Sequence, residues 1–204
     1  MKQYTHFRVF ILLLILLVEG SAQVASADQS SASERAVFSC INEYFTKLEF
    51  SSPLVLLDGG QGKWGLAMEP SIIDDKITFY ACLPSEPVAK DQPDRESASL
   101  FVICGTGVID VAAIVTVDHG VHDDIHVQTR FDEAQPETTT WKISPDKKAI
   151  IAPVTGGEFA RKLIMHNELS VQLTLSNQEQ VGFTYDIRGA SDSLEVLHQA
   201  CKWD

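Results

Sequence analysis

From Lys63 to Ile187, apolar residues recur mostly at every second position, in short runs separated by turn-forming residues. Successive side chains of a β-strand point to opposite faces, so this period of two predicts strands with a buried face. The candidate strands are Trp64–Glu69, Lys76–Leu83, Ser99–Cys104, Val108–Val117, Ile125–Phe131, Thr138–Ile143, Ala149–Ala152, Leu169–Leu175 and Val181–Ile187, with a further short one at Leu54–Leu57. About nine short strands predict an antiparallel β-sandwich or an open barrel.

The residues between these strands indicate how they are joined. Gly105-Thr106-Gly107 is short enough to close a tight hairpin. Ser144-Pro145-Asp146-Lys147 has proline at the second position of a β-turn. The polar stretch Pro84–Ser97 is expected to form an exposed hairpin tip. Strands that are neighbours in sequence are therefore expected to pair antiparallel.

Three stretches have apolar residues at three- and four-residue steps, which predicts helices. They are an N-terminal helix from Ser33 or Glu34 to Glu49, an inserted helix Gly157–His166 and a C-terminal helix with Leu194, Leu197 and Cys201 inward. Asp192 is predicted to cap the C-terminal helix, because Glu195 follows three residues later as in a capping box. The fold is therefore predicted to be mainly β, of the α+β type, with helices at the rims of the sheets.

The first residues of the chain are typical of an export signal. A basic start precedes the apolar run Val9–Val18, and small residues follow it. Ten helical residues extend ~15 Å, about half the hydrocarbon thickness of a bilayer, so no membrane span is expected. Cleavage is expected after Ala25-Ser26-Ala27, with Gly20-Ser21-Ala22 as the alternative. Met1–Ala27 is thus predicted to be a signal peptide, and residues 28–204 a single domain of an exported, periplasmic protein.

The charge of the chain limits its partners. There are 28 Asp and Glu residues against 16 Lys and Arg, which gives a net charge of −12, and no stretch concentrates the basic residues. Such a protein repels phosphate backbones and anionic lipid. No nucleic-acid partner is expected.

Four cysteines, Cys40, Cys82, Cys104 and Cys201, follow the predicted signal peptide. An even number in an exported chain predicts two disulfides, with three possible connectivities. Their wide spacing does not fit a four-cysteine zinc site, which needs closely spaced pairs. Buried free thiols are the alternative.

The densest polar cluster is Asp118–His126, between two predicted strands. His119, His122 and Asp123 are weak candidates for metal ligands, because imidazole and carboxylate groups bind zinc and similar ions. In that case the region His119–His126 would serve a metal-dependent envelope hydrolase. The other interpretation is a soluble hairpin tip, which we favour. The sequence has no Gly-x-Ser-x-Gly nucleophile motif, and neither catalytic residues nor a cofactor are predicted.

Three tryptophans, Trp64, Trp141 and Trp203, stand beside polar residues. Aromatic rings of this kind can bind the glycans of a cell wall, which would make the chain a glycan-binding sandwich. Packing in a small β core is the favoured interpretation for Trp64 and Trp141.

Several motifs in order resemble the VasI/TagO family of periplasmic accessory proteins associated with bacterial type VI secretion. They are Lys63-Trp64-Gly65-Leu66, Ile72-Ile73-Asp74-Asp75, Leu100-Phe101-Val102-Ile103-Cys104, Val127-Gln128-Thr129-Arg130-Phe131-Asp132, Thr140-Trp141-Lys142-Ile143-Ser144 and Ala200-Cys201-Lys202-Trp203. The resemblance covers roughly Trp64 to Trp203. It implies a non-enzymatic accessory role in a Gram-negative envelope, with a protein, peptidoglycan or a component of the secretion system as partner.

The resemblance also implies a disulfide pairing. Cys104 and Cys201 both fall at recurrent positions of the family, so a bond between them is expected. Cys40 and Cys82 are then expected to form the second bond.

Overall fold

The structure, a computed structural model, describes residues 40, 55–57, 60–71, 73–74, 76–86, 98–105, 108–115, 125–145, 147, 149–153, 156–175 and 178–203. This part of the chain contains ten strands and two helices. The strands are β1 Val55–Leu57, β2 Gly65–Pro70, β3 Ile77–Pro84, β4 Ala98–Gly105, β5 Val108–Val115, β6 Ile125–Phe131, β7 Glu137–Ile143, β8 Ile150–Ile151, β9 Glu168–Thr174 and β10 Gln180–Asp186. The helices are α1 Gly156–Met165 and α2 Ala190–Cys201.

The strands form two antiparallel sheets. The hydrogen-bonded order of the ten strands is continuous, β1-β2-β3-β4-β5-β8-β7-β6-β9-β10. We call the part β1-β2-β3-β4-β5-β8 the first sheet and the part β7-β6-β9-β10 the second sheet. Strand β7 pairs with β6 and also with β8, so it joins the two sheets. The predicted mainly-β, antiparallel fold is confirmed, with ten described strands where about nine were expected.

The predicted connections are also found where they are described. Gly105 is opposite Val108, so β4 and β5 form the expected tight hairpin. The Lys147 backbone N–H donates to the Ser144 carbonyl at 2.8 Å, which closes the expected turn between β7 and β8. At the base of the predicted Pro84–Ser97 tip, the Ser85 N–H donates to the Ala98 carbonyl at 2.8 Å. Residues 87–97 of this tip lie outside the described part.

The second sheet alternates strictly between buried and exposed side chains. In β6, Ile125, Val127, Thr129 and Phe131 are buried, and the residues between them are exposed. The same period occurs in β9, where Leu169, Val171 and Leu173 are buried. One face of this sheet therefore packs on the core, and the other faces solvent.

Strands β2, β3 and β4 of the first sheet have buried residues on both faces. Leu66, Leu83, Leu100 and Val102 face the main core, which also contains the buried residues of the second sheet. On the opposite face, Ala67, Tyr80, Cys82 and Phe101 form a second, smaller core with Cys40. The described Cys40 has helical backbone, in agreement with the predicted N-terminal helix. The rest of that helix lies outside the described residues.

The helices complete the main core. Phe159 and Leu163 of α1 are buried there, as are Leu194 and Leu197 of α2. Among the described residues, no helix is both long enough and apolar enough to cross a membrane.

The start of α2 differs from the prediction. The helix begins at Ala190, and Asp192 lies inside its first turn instead of capping it. The N-cap is Gly189, whose positive φ of 85° suits glycine because it has no side chain. A Cβ on Gly189 would lie 2.7 Å from the Gln61 carbonyl oxygen. The buried Ser193 hydroxyl accepts the Gln61 N–H at 2.8 Å. These contacts with a distant loop, and not the capping box, fix the first turn.

Two disulfides join helical residues to opposite faces of the first sheet. Cys40 is bonded to Cys82 of β3, with the Cα atoms 6.3 Å apart, in the smaller core. Cys104 of β4 is bonded to Cys201 of α2, with the Cα atoms 6.1 Å apart, in the main core. Both separations are ordinary for disulfides, and the bonds join the pairs that the resemblance implies.

Two hydrogen bonds join residues beside the strands of the first sheet to β10 and to the residue that follows it. The Trp64 indole N–H donates to the Ile187 carbonyl at 3.3 Å. The Glu86 N–H, just beyond β3, donates to the Thr184 carbonyl of β10 at 2.7 Å. The chain beyond β3 therefore contacts the end strand of the second sheet.

Candidate functional site

The outer face of the second sheet carries polar side chains in register across its strands. Gln128 of β6 is opposite Gln172 of β9, which in turn is opposite Gly182 of β10. Two residues further along the same face, Arg130 is opposite Ser170, and Ser170 is opposite Thr184. The alternation that buries the apolar half of each strand places these amides, hydroxyls and the guanidinium on one surface.

A depression of 290 Å³ lies over these strands. We call it the sheet groove; its lining residues are Gln128, Arg130, Pro136, Ser170, Val171, Gln172, Gly182, Phe183 and Thr184. Gly182 has no side chain, and a Cβ placed there would have only the Val171 carbonyl oxygen near it, at 3.9 Å. The missing side chain leaves the end of the polar row open.

Arg130 is the positive charge of the sheet groove. Its side chain is exposed, and its guanidinium lies 3.4 Å from the Ser170 hydroxyl, which is a long hydrogen bond. No carboxylate of the described residues lies within ion-pair distance of it. In a chain with net charge −12, this cation is available to an outside anion.

A second depression, of 660 Å³, adjoins the sheet groove and shares Thr184 with it. We call it the charged cleft; its other lining residues are Lys63, Glu86, Asn167, Glu168, Asp186 and Arg188. Arg188 donates two hydrogen bonds of 2.6 Å to the two carboxylate oxygens of Asp186. Lys63 forms ion pairs with Glu86 and with Asp186, the latter at 3.5 Å.

The ion pairs of the charged cleft hold its residues in their charged forms. Hydrogen bonds from Arg188 lower the pKa of Asp186 from 3.8 to about 2. The hydrogen bond to Glu86 raises the pKa of Lys63. Each described cation of this cleft thus already has a carboxylate partner within the protein, unlike Arg130.

Asp132, in the turn after β6, forms hydrogen bonds to the residues that precede and begin β9. It adopts a left-handed backbone with φ 48° and accepts the N–H groups of Asn167 and Glu168, each at 3.0 Å. His166 Nδ1 lies 2.8 Å from its other carboxylate oxygen. The Asn167 N–H, followed by the His166 contact, lowers the pKa of Asp132. These bonds join the turn after β6 to the start of β9.

The weak metal candidates His119, His122 and Asp123 lie outside the described residues. Of the predicted His119–His126 region, Ile125 and His126 are described. His126 is exposed, and its Nδ1 lies 3.3 Å from the Thr140 hydroxyl. Among the described residues, no three His, Cys, Asp or Glu side chains lie close enough together to hold an ion.

The tryptophans pack in the core and do not form an exposed platform. Trp64 and Trp141 are fully buried, which confirms the core interpretation for both. Trp203 is partly buried against the main core, with its ring 4.8 Å from that of His198. An aromatic glycan site made by these rings would therefore require the core to open.

The sequence interpretation missed the residues of the sheet groove. Arg130 and Gln128 stand in a motif that was recognised, but only as part of a family resemblance. The available signal was the strict alternation, which assigns both to the exposed face of β6. The partners Gln172 and Gly182 follow only from the order and register of the strands.

Comparisons with known proteins give a distant structural likeness and no family. No family model and no curated protein matches the sequence. Among solved structures, the chain is similar to invasion associated protein B from Bartonella henselae, with 15% sequence identity and a TM-score of 0.46. The match covers 73% of this chain and 99% of that chain. A likeness at this level carries no information about function.

Proposed function

We propose that this chain is a non-enzymatic binding protein of the bacterial envelope that holds a partner in the sheet groove. One observation carries the proposal: the outer face of the second sheet combines a polar depression with the cation Arg130, which has no carboxylate partner among the described residues. Polar groups placed in register on a rigid sheet favour recognition, because they need little reordering when a ligand binds.

The remainder of the described surface offers less for this role. The outer face of the first sheet is covered as part of the smaller core. The cations of the charged cleft, Lys63 and Arg188, are engaged with Glu86 and Asp186. The sheet groove therefore supports binding best.

An oxidising compartment agrees with two disulfides. In our proposal that compartment is the periplasm, which the chain reaches through the signal peptide Met1–Ala27. The resemblance to the VasI/TagO family supplies the pathway: the protein is an accessory of type VI secretion, and its partner is a component of the envelope or of the secretion system.

The test is a complementation experiment in a strain with an active type VI apparatus. Gly182→Leu fills the groove without adding charge or an aromatic ring, and the open space at Gly182 accommodates the side chain. Deletion of the gene is expected to lower effector release, and Gly182→Leu is expected not to restore it.

The matched control is Thr140→Leu, an exposed position on the same face outside the groove lining. Thr140→Leu is expected to restore secretion as the natural chain does. Unchanged effector release in the deletion strain would refute the accessory role. Full restoration by Gly182→Leu would refute the groove as the binding site.

A further inference from the structure

We infer that the sheet groove binds a carboxylate-bearing glycan, with Arg130 as the group that recognises the carboxylate. In the envelope, peptidoglycan is the source of such a ligand. The stem peptides attached to its sugars carry free carboxylates, and a muramic acid without a stem peptide carries a free lactyl carboxylate. This inference rests on the proposed function, because it names the class of partner that the same groove receives.

The charge of the groove selects an anion. A guanidinium presents parallel N–H donors in a planar fork that matches the two oxygens of a carboxylate. Arg130 is exposed on β6, and its nearest described partner, the Ser170 hydroxyl, is neutral and 3.4 Å away. A carboxylate can therefore approach without first breaking an internal ion pair. The net charge of −12 repels anions in general, so anion binding here depends on this local contact.

The rest of the lining suits the hydroxyl and acetamido groups of a sugar. The side chains of Gln128 and Gln172 each offer both a donor and an acceptor. The hydroxyls of Ser170 and Thr184 do the same from the next row of the sheet. A flat ladder of this kind can contact successive sugar units along a chain.

A glycan fits this surface better than an extended peptide does. Peptides bind to sheets chiefly by pairing their main chain with a free edge, and pockets for side chains add specificity. Of the strands that line the groove, β6 and β9 are already paired with neighbouring strands on both sides. On the side of β10 away from β9, the Thr184 carbonyl already accepts the Glu86 N–H. This face therefore presents side chains to a ligand, and their amides and hydroxyls can form hydrogen bonds with a polyhydroxylated one.

The experiment measures binding of two soluble probes to the purified, disulfide-bonded protein by calorimetry. The first probe is a muropeptide composed of the disaccharide and its stem peptide; the second is a chitin oligosaccharide, which has related sugars but no carboxylate. The natural chain is expected to bind the muropeptide at least about tenfold more tightly than the oligosaccharide. Arg130→Gln is expected to weaken muropeptide binding by about tenfold to a hundredfold, since hydrogen bonds to charged groups are of this strength.

The matched control is Lys142→Gln, which removes one exposed positive charge from β7 outside the groove lining. It is expected to change muropeptide affinity by less than about twofold. Equal loss in both variants would indicate a net-charge effect and would overturn the assignment to Arg130. Urea unfolding checks that Arg130→Gln is folded, as expected for an exposed position.

The remaining outcomes separate this inference from the proposed function. A free stem peptide that binds as tightly as the muropeptide would overturn the glycan in favour of a peptide. If the muropeptide does not bind to the natural chain, the ligand class is wrong. The binding role itself would still stand if Gly182→Leu fails to restore secretion while Thr140→Leu succeeds.

Discussion

The outer faces of the two sheets are opposites in chemistry. On the first sheet, Tyr80, Cys82 and Phe101 lie under a covering that includes the helical residue Cys40, so this face is a second core. On the second sheet, Gln128 and Arg130 are exposed, and the outer face is polar throughout β6. Both sheets contribute their other face to the same main core.

The difference separates the parts of the molecule that stabilise it from the part that can meet a partner. A sheet that is covered on both faces has no exposed face on which a partner could bind, and its strands can be apolar at every position. A sheet covered on one side must alternate, and its exposed half is free to vary with the ligand. The first sheet is therefore expected to tolerate substitutions poorly, and the second sheet to tolerate them well on its outer face.

The largest effect is expected from the disulfide that joins α2 to the first sheet. Replacing Cys104 and Cys201 together by Ala is expected to lower the free energy of unfolding by about 4–5 kcal/mol, because the bond closes a long loop in the unfolded chain. Urea unfolding followed by tryptophan fluorescence measures this, since Trp64 and Trp141 are buried.

The Cys40–Cys82 bond is the internal comparison for the two faces of the first sheet. It spans 42 residues against 97 for the other bond, so its removal is expected to cost about 0.7 kcal/mol less by loop entropy alone. A loss near zero for Cys40→Ala with Cys82→Ala would show that the smaller core is stable without its disulfide.

The next effect compares the two outer faces directly. Phe101→Ala is expected to lower the free energy of unfolding by about 3–5 kcal/mol, because it leaves a cavity in the smaller core. Gln172→Ala, on the outer face of the second sheet, is expected to change it by less than about 0.5 kcal/mol. Similar losses in the two variants, measured by the same urea titration, would remove the distinction between the faces.

The smallest effect concerns the ion pairs at the edge of the second sheet. Asp186 has a pKa lowered to about 2, so its charged form stabilises the fold fully above pH 4, and this contribution is lost as the pH falls toward 2. Asp186→Asn is expected to cost less than about 1 kcal/mol at neutral pH, because the pair with Arg188 is close to the surface. The difference in unfolding free energy between the two proteins should decrease as the pH falls below about 4 and be lost below about pH 2. A difference independent of pH would assign the effect to packing instead of charge.

The alternation in the sequence was sufficient to predict most of the fold. The bounds of β6 agree with the predicted Ile125–Phe131 because apolar residues and one threonine, Thr129, alternate with polar residues, and turn-forming residues stand on both sides. The start of α2 was not predictable in the same way. Its first turn is fixed by Gly189 against the Gln61 backbone, a contact between residues far apart in sequence, which overrides the capping pattern at Asp192.

The candidate site was less predictable than the fold for a related reason. Arg130 and Gln128 are neighbours on one strand, but Ser170, Gln172 and Gly182 reach them only through the pairing of β6 with β9 and of β9 with β10. The pairing of β6 with β9 joins strands that are not consecutive in the chain, so periodicity within one strand carries no information about it. The candidate metal ligands of the histidine-rich segment, His119 and His122, lie outside the described residues.

The hydrogen bond from Glu86 to Thr184 determines how further molecules can assemble on the second sheet. Strand β10 is the last strand in the order, and an open end strand is a template on which foreign strands add and aggregates grow. The Glu86 N–H, two residues beyond β3, occupies one of the acceptors on that strand. A strand that adds to this edge would have to displace that hydrogen bond. A partner that binds the outer face of the second sheet would not.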